Sequence, residues 1–268
     1  MMHDRARDPF AKGMRLLRYM MEGPAETVSV REASEALGMP PSTVHRLLTT
    51  LAQEGVLRQN ADTGQYGLAL ELYRLAHLAA GRTPLKAVAL RYARSLVSAC
   101  NEATMFNLYD ADRQQMMTIA HVESTHQLRY VIDTEHWKPV HVGASGLGIM
   151  AFLSSSERQS IIERTGLKPM TERSITDPQK LERELAVVRE RGYVLTRDQR
   201  TLGAVGLAAP VFGPSGIVLG DICLTIPELR FDETTEPHLA ALLLDCANSI
   251  MAEIGGRKLV AQLHGVSA

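Results

Sequence analysis

Residues 29–54 read SVREASEALGMPPSTVHRLLTTLAQE, and the reading of this stretch decides the fold of the N-terminal part. Val30, Ala33 and Leu37 repeat at helical spacing and the run closes on Gly38. Pro40-Pro41-Ser42-Thr43 then reads as a second helix start, with Ser42 as the expected N-cap, followed by Val44, Leu47, Leu48 and Leu51 on one face. Two short helices joined by a Gly-containing turn form the helix-turn-helix pattern, whose second helix enters the DNA major groove. A DNA-binding regulator is therefore the expectation.

Outward from this stretch, Met14, Leu16, Leu17, Met20 and Met21 predict a preceding helix stopped at Gly23-Pro24. Downstream, Val56–Asn60 and Gln65–Leu68 flank Ala61-Asp62-Thr63-Gly64, which predicts a hairpin and hence the winged variant of the fold. That hairpin serves equally as a plain structural edge or as a wing touching phosphates. Ala69–Ala80 predicts a helix whose apolar residues cover more than one face, ending at Gly81-Arg82-Thr83-Pro84. It reads either as a linker helix buried between subunits or as an ordinary third-layer core helix.

Charge adds little to the DNA reading. In residues 1–68, eight Lys and Arg side chains face eight acids, and the whole chain carries a formal charge of −1. Any positive field must come from arrangement. The three cysteines form no C-x-x-C pair, Met1–Ala11 lacks the apolar core of a signal sequence, and no run is long enough to span a bilayer. A cytoplasmic protein without membrane association is expected.

From Leu85 the pattern changes to an α+β domain around one antiparallel sheet. Helices are expected at Ala87–Ala99, Gly146–Leu153, Ser156–Thr165, Pro178–Arg191 and Thr234–Gly255. Strands are expected at Thr104–Tyr109, Met116–Val122, Leu128–Ile132, Tyr193–Arg197, Val205–Phe212 and Ile217–Ile226. The resulting division is 1–68 for DNA binding, 69–83 for the linker helix and 84–268 for the second domain.

Three blocks, in this order, carry a resemblance. PPSTVHRLLTTLAQEGVLRQN with YGLALELYRLA, PVHVGASGLGIMAFLS, and RERGYVLTRDQRTLGAVGLAAPVFGPSGIVLGDICLTIP resemble the IclR-type transcriptional regulators. The resemblance implies a winged helix-turn-helix joined by a helix to a GAF-like effector-binding domain. It also implies a homodimer or dimer of dimers on a palindromic operator, probed by a small-molecule effector. It places that effector between the Ala144-Ser145-Gly146-Leu147 turn and the sheet edge bearing Gly206, Cys223 and Thr225.

The chain departs from the family pattern at Leu147, where a lysine is frequent, at Thr196, often acidic, and at Gly206, often cysteine. Each change removes charge or bulk, so a roomier and less polar pocket is expected, suited to a small aromatic acid or related catabolite. Phe106, Met116, Leu128, Trp137 and Met150 are candidate walls, although each taken alone reads first as an ordinary core residue; Arg129 is expected to close the site and His141 to pack beside it. His121, His126, His136 and His141 lack the spacing of a metal site, and Gly146-Leu147-Gly148 lacks the third glycine of a dinucleotide fingerprint, so neither metal nor cofactor is expected. The alternative of a hydrolase-like enzyme using Ser145 or Cys223 lacks a positioned base, and G-A-S-G is not the nucleophile-elbow motif. A scaffold protein that ignores DNA is the third reading. Repression relieved by ligand is the expected sign of control, with activation left open.

At the DNA end, Thr43 and Ser42 stand where a helix N-terminus holds a phosphate. His45, Arg46 and Thr49 face away from the apolar stripe, and Arg31 and Arg58 are candidate phosphate contacts. Arg46 is the best placed for a bidentate contact to guanine, worth about 1–3 kcal/mol of discrimination. Arg46→Ala is expected to weaken or abolish operator binding while leaving the fold intact; an unchanged gel-shift series would remove Arg46 from the interface.

Overall fold

A computed structural model describes residues 8–81 and 84–257. Met1–Arg7 and the Arg82-Thr83 part of the expected breaker lie outside the described residues. The chain divides into two compact units, one through Thr83 and one from Pro84.

The first unit orders helix α1 (Pro9–Glu22), strand β1 (Thr27–Val28), α2 (Val30–Leu37), α3 (Pro41–Gln53), β2 (Leu57–Gln59), β3 (Tyr66–Leu68) and α4 (Leu70–Gly81). α2 opens on a reciprocal capping box: the Glu32 amide donates to Ser29 Oγ at 3.2 Å and the Ser29 amide to Glu32 Oε2 at 2.7 Å. It ends at Gly38, whose φ of +62° is the left-handed conformation that a helix stop favours. Ser34 Oγ donates to the Met39 carbonyl at 2.6 Å and pins the turn into α3. Val44 and Leu48, one helical turn apart, are fully buried with Leu16, Ala33, Leu57 and Tyr66. Burying each aliphatic side chain of this size contributes about 1.5–3 kcal/mol, so this stripe fixes which face of α3 is left outward.

One expectation is corrected here and another, the hairpin, is extended. Ser42 is not the cap: Pro40 takes that place, no side chain caps the helix, and Pro41 fills the first helical position, where its missing N–H costs nothing. The hairpin is the outer part of a three-stranded sheet of order β1-β3-β2, because the two-residue β1, too short for any periodic signal, pairs with β3.

The second unit contains α5 (Pro84–Cys100), β4 (Ala103–Asp110), β5 (Gln115–Val122), β6 (Lys138–Pro139), α6 (Gly143–Met150), α7 (Ser155–Thr165), α8 (Pro178–Arg191), β7 (Val194–Arg197), β8 (Ala204–Phe212), β9 (Val218–Pro227) and α9 (Glu236–Ile254). Its six strands are ordered β6-β5-β4-β9-β8-β7, and every pairing is antiparallel. Strand alternation divides the side chains. Phe106, Ile222, Leu224 and Ile226 face the layer of α5 and α9, while Met116, Ala208 and Cys223 face α6, α7 and α8.

Leu128–Ile132 forms no strand. Only Lys138–Pro139 pair with the β5 edge, opposite Met116 and Gln115, and residues 123–137 run irregularly. Ile132 lines the cavity described below, whereas Val131 at its rim is 92% exposed. α6 begins three residues before its expected start, because Gly143 at φ +75° supplies the turn and Ala144-Ser145-Gly146 are already helical.

One carboxyl is buried in the sheet. Asp221 on β9 lies opposite Asn107 on β4 and is fully inaccessible. Its Oδ1 accepts from Asn107 Nδ2 at 2.8 Å, whereas Oδ2 has no hydrogen-bond partner. Burial pushes its pKa up to about 8, against the opposing pull of the Asn107 hydrogen bond and the Arg200 charge. The folded chain thus holds a proton that the unfolded chain releases near 3.8. The associated stability is full below that value and is lost as pH rises to about 8. Asp221→Asn should therefore gain stability relative to the parent as pH rises across that window, by roughly 5 kcal/mol at its upper end. Urea unfolding at a series of pH values reads this, and a pH-independent difference would show that Asp221 is ionised throughout.

Candidate functional site: an outward helix and a half-open cavity

With Val44 and Leu48 locked inward, α3 presents Ser42, His45, Arg46, Thr50 and Gln53 as exposed side chains, with Thr43 and Thr49 half-buried at the margin. Arg46 has no ion pair among the described residues, and Thr50 Oγ1 donates to its carbonyl at 2.9 Å. Arg58 is exposed on β2, also without an ion pair. Arg31, by contrast, is bound to Glu35 one turn along α2 at 2.9 Å, so a phosphate would have to compete with that carboxylate. The helix thus leaves one guanidinium unpaired in the middle of its outward row. That arrangement suits bidentate readout of a base edge.

In the second unit a cavity of about 330 Å³ opens between the first turn of α6, the β4-β5-β9-β8 surface and the segments 130–133 and 199–201. Of the residues expected at the effector site, Met116, Ala144, Ser145, Thr196, Gly206, Cys223 and Thr225 line it. The others lie elsewhere. Phe106 points to the α5–α9 layer because its neighbours Met105 and Asn107, on the alternate face, take the cavity side. Leu147 and Met150 are fully buried in the core under α6. Gly146 lies against strand-edge backbone, where a Cβ would come within 2.5 Å of the Val140 carbonyl oxygen.

Leu128 is exposed and lines a separate shallow depression. Arg129 lines that depression too and is ion-paired with Glu123 at 2.8 Å. Trp137 stacks under the Arg113 guanidinium, 4.7 Å from the ring centre. His141 is buried, with Nε2 donating to the Lys168 carbonyl at 3.0 Å, and burial lowers its pKa. His126 and His136 each have a different partner, Asn101 and Asp133.

Two of the three departures expected to make the pocket roomier and less polar do not act on it. Gly206 opens no space, because a Cβ there would sit 2.8 Å from Ala144 Cβ: the first turn of α6 already occupies the volume. Leu147 faces the core, so its apolar character does not reach the cavity. Polarity enters instead from residues that sequence reasoning missed. Lys138 and Arg200 line the cavity together with Asn107, Tyr130 and Asp133.

A hydrogen-bond chain runs from Lys138 Nζ to Thr118 Oγ1 at 3.0 Å, from Thr118 to Asn107 Oδ1 at 2.7 Å, and from Asn107 Nδ2 to both Ser145 Oγ at 3.1 Å and Asp221. The one available sequence signal was Asp221, a charge inside the apolar run VLGDICLTIP. Lys138 and Arg200 stand in polar surroundings that carry no such signal.

Nucleophilic chemistry finds no support in this geometry. Ser145 Oγ accepts from Asn107, an amide that cannot take a proton from it. Burial pushes the Cys223 thiol up to about 12, the reverse of activation.

Residues 10–61 match the IclR helix-turn-helix domain, and residues 77–252 match the family described as bacterial transcriptional regulator IclR C-terminal. The chain is 26% identical to the transcriptional repressor IclR of Escherichia coli over 247 residues, covering 92% of this chain and 90% of that protein. It is 29% identical to the regulator KdgR of the same organism over 233 residues, covering 87% and 88%. Among solved structures, IclR of Thermotoga maritima superposes with a TM-score of 0.72 at 23% identity, covering 92% and 98%. An IclR homologue from Microbacterium hydrocarbonoxydans, crystallised with 4-hydroxybenzoate, superposes with a TM-score of 0.79 at 21% identity, covering 92% and 99%. The family consists of transcriptional regulators and not enzymes. With both of its characteristic domains matched in order, this chain belongs to the IclR family of bacterial transcriptional regulators.

Proposed function

We propose that this regulator is a repressor that binds a palindromic operator as a dimer or dimer of dimers and releases it when a small aromatic acid enters the cavity of the second domain. The observation that carries the DNA half is the outward row on α3, with Arg46 unpaired at its centre and the opposite stripe immobilised in the core. Thr43 and Thr49 flank that row, Ser42 and His45 stand beside it, and Arg58 approaches from the hairpin. One such module touches few base pairs, and useful specificity requires two copies on a symmetric site.

The helix α4 is the proposed linker and dimerisation element. Leu70, Tyr73, Leu75 and Leu78 are all exposed on it, Leu70 at 86%. Apolar side chains in this density favour a partner surface over solvent. Effector control supports itself on the cavity, whose volume is that of a small-ligand site and whose walls are largely apolar. The homologue bound to 4-hydroxybenzoate supports an aromatic acid as the class. A ligand shifts operator affinity only through different affinities for two arrangements of the dimer, and α4 is the element proposed to differ between them.

Leu75→Glu should shift the protein toward monomer in sedimentation and lower its affinity for the DNA upstream of its own gene by tenfold or more in gel shifts. Retained dimer and retained affinity would take α4 out of the interface. In the same gel shifts, benzoate or 4-hydroxybenzoate should release DNA from the parent protein but not from Thr225→Phe, which fills the cavity. Equal release from both would place the effector elsewhere, and tighter DNA binding with ligand would reverse the sign of control.

A further inference from the structure

Two cations meet at one corner of the cavity, and the chain supplies neither with a carboxylate. Lys138, on the short edge strand β6, donates to Thr118 Oγ1 at 3.0 Å and to the Asp133 carbonyl, which leaves one of its three N–H groups uncommitted. Arg200, from the loop between β7 and β8, folds its guanidinium back onto the backbone around the same strand. Its Nη2 donates to the Pro139 carbonyl at 2.8 Å and the Val142 carbonyl at 2.6 Å. Its Nη1 has only the Met170 sulfur, at 3.9 Å. Among the described residues neither cation has a carboxylate within 4.0 Å, whereas Arg129, Arg197 and Arg230 of the same domain each meet a glutamate.

The neighbouring acids compensate only in part: the Asp133 charge supports Lys138, but among the described residues no carboxylate oxygen bonds either cation. Asp133, which also lines the cavity, has its Oδ1 taken by the amides of Glu135 and His136 and by the His136 ring. Asp221, behind Asn107 and Ser145, is driven toward its neutral form by burial. Burial lowers the pKa of both Lys138 and Arg200; at Lys138 the Asp133 charge opposes this and the Arg200 charge adds to it. The apolar part of the lining is Met105, Met116, Ile132 and Met170, with Val131 exposed at the rim. Like charges in such a place are unfavourable unless an anion completes them.

The geometry points to Lys138 and Arg200 as the anion anchor of this cavity, selecting an apolar monocarboxylate whose acid group lies at β6 and whose hydrocarbon body lies against the methionines. This deepens the effector reading above and rests on the cavity being the effector site. The charge count sets the valence. Two cations against the single ionised Asp133 leave one positive charge, which one carboxylate neutralises. A dianion would overshoot beside Asp133, and an amide would leave the excess unmet. The remaining Lys138 N–H and the weakly occupied Arg200 Nη1 are the donors that such a carboxylate takes.

The test is calorimetric titration of the full chain at pH 7 with benzoate, 4-hydroxybenzoate and cyclohexanecarboxylate, their uncharged amides, and terephthalate. At least one monocarboxylate should bind, with its amide and terephthalate tenfold or more weaker. Lys138→Met should lose tenfold or more for the acid and little for the amide, and Lys138→Arg should restore part of the loss. Lys138→Met is the primary variant because Arg200 also ties down backbone, and an unchanged melting transition verifies its fold.

Equal binding of acid and amide, undiminished acid binding by Lys138→Met, or binding of none of the three acids would overturn the anchor. Thr225→Phe separates the two readings. If it abolishes acid binding while Lys138→Met does not, the cavity stands and the anchor falls. If Thr225→Phe leaves acid binding intact, the cavity itself is not the site and both fall.

Discussion

Burial on the two sides of the six-stranded sheet is unequal, and the functional half of the molecule depends on that inequality. Toward α5 and α9 the strands send mainly apolar groups, Phe106, Ala209, Val211, Ile222, Leu224 and Ile226 among them, with Thr104 buried on the same face. Toward α6 the same strands send Asn107, Thr118, Asp221 and Thr225 beside Met116 and Cys223. The first side supplies the packing energy that holds the sheet. The second can then accommodate buried polar groups that cost stability, because the opposite face secures the scaffold beneath them.

Close approach of α6 to the sheet shapes the cavity. Gly146 allows the helix to lie on the Val140 backbone, and Gly206 lets Ala144 come within contact of β8. Both glycines therefore bring elements together, and the space available to a ligand arises beside them, under residues 130–133 and 199–201. The polar chain from Lys138 through Thr118 and Asn107 to Asp221 links the cavity wall to a buried carboxyl at the centre of the sheet. Networks of this kind are rigid when every member is satisfied, and here the unsatisfied atoms lie at the buried Asp221 end.

The DNA-reading unit obeys a simpler rule. Its helices are short, and each is positioned by local chemistry: the Ser29–Glu32 box, the left-handed Gly38, the Ser34 hydroxyl on the Met39 carbonyl. Three such devices within about a dozen residues orient α3 before its core contacts are counted. The exposed apolar side chains of α4 stand outside this economy, which is why that helix is the element assigned to a second copy.

Periodicity and punctuation in the chain alone determined the helix-turn-helix, the strand hairpins and most helix limits, because these depend on contacts between residues close in sequence. The outward position of Arg46 followed from the same 3.6-residue repeat. Strand alternation would also have placed Phe106 on the far face, had the register of β4 been known. The anion corner belongs to tertiary structure. Lys138 and Arg200 are 62 positions apart and meet because Arg200 returns to the backbone of the edge strand, and Gly206 is tight and not open because a helix begun sixty residues earlier lies against it. Local sequence carries no record of which side chain fills the space opposite. That is decided only when distant segments compete for one volume and one set of hydrogen-bond partners.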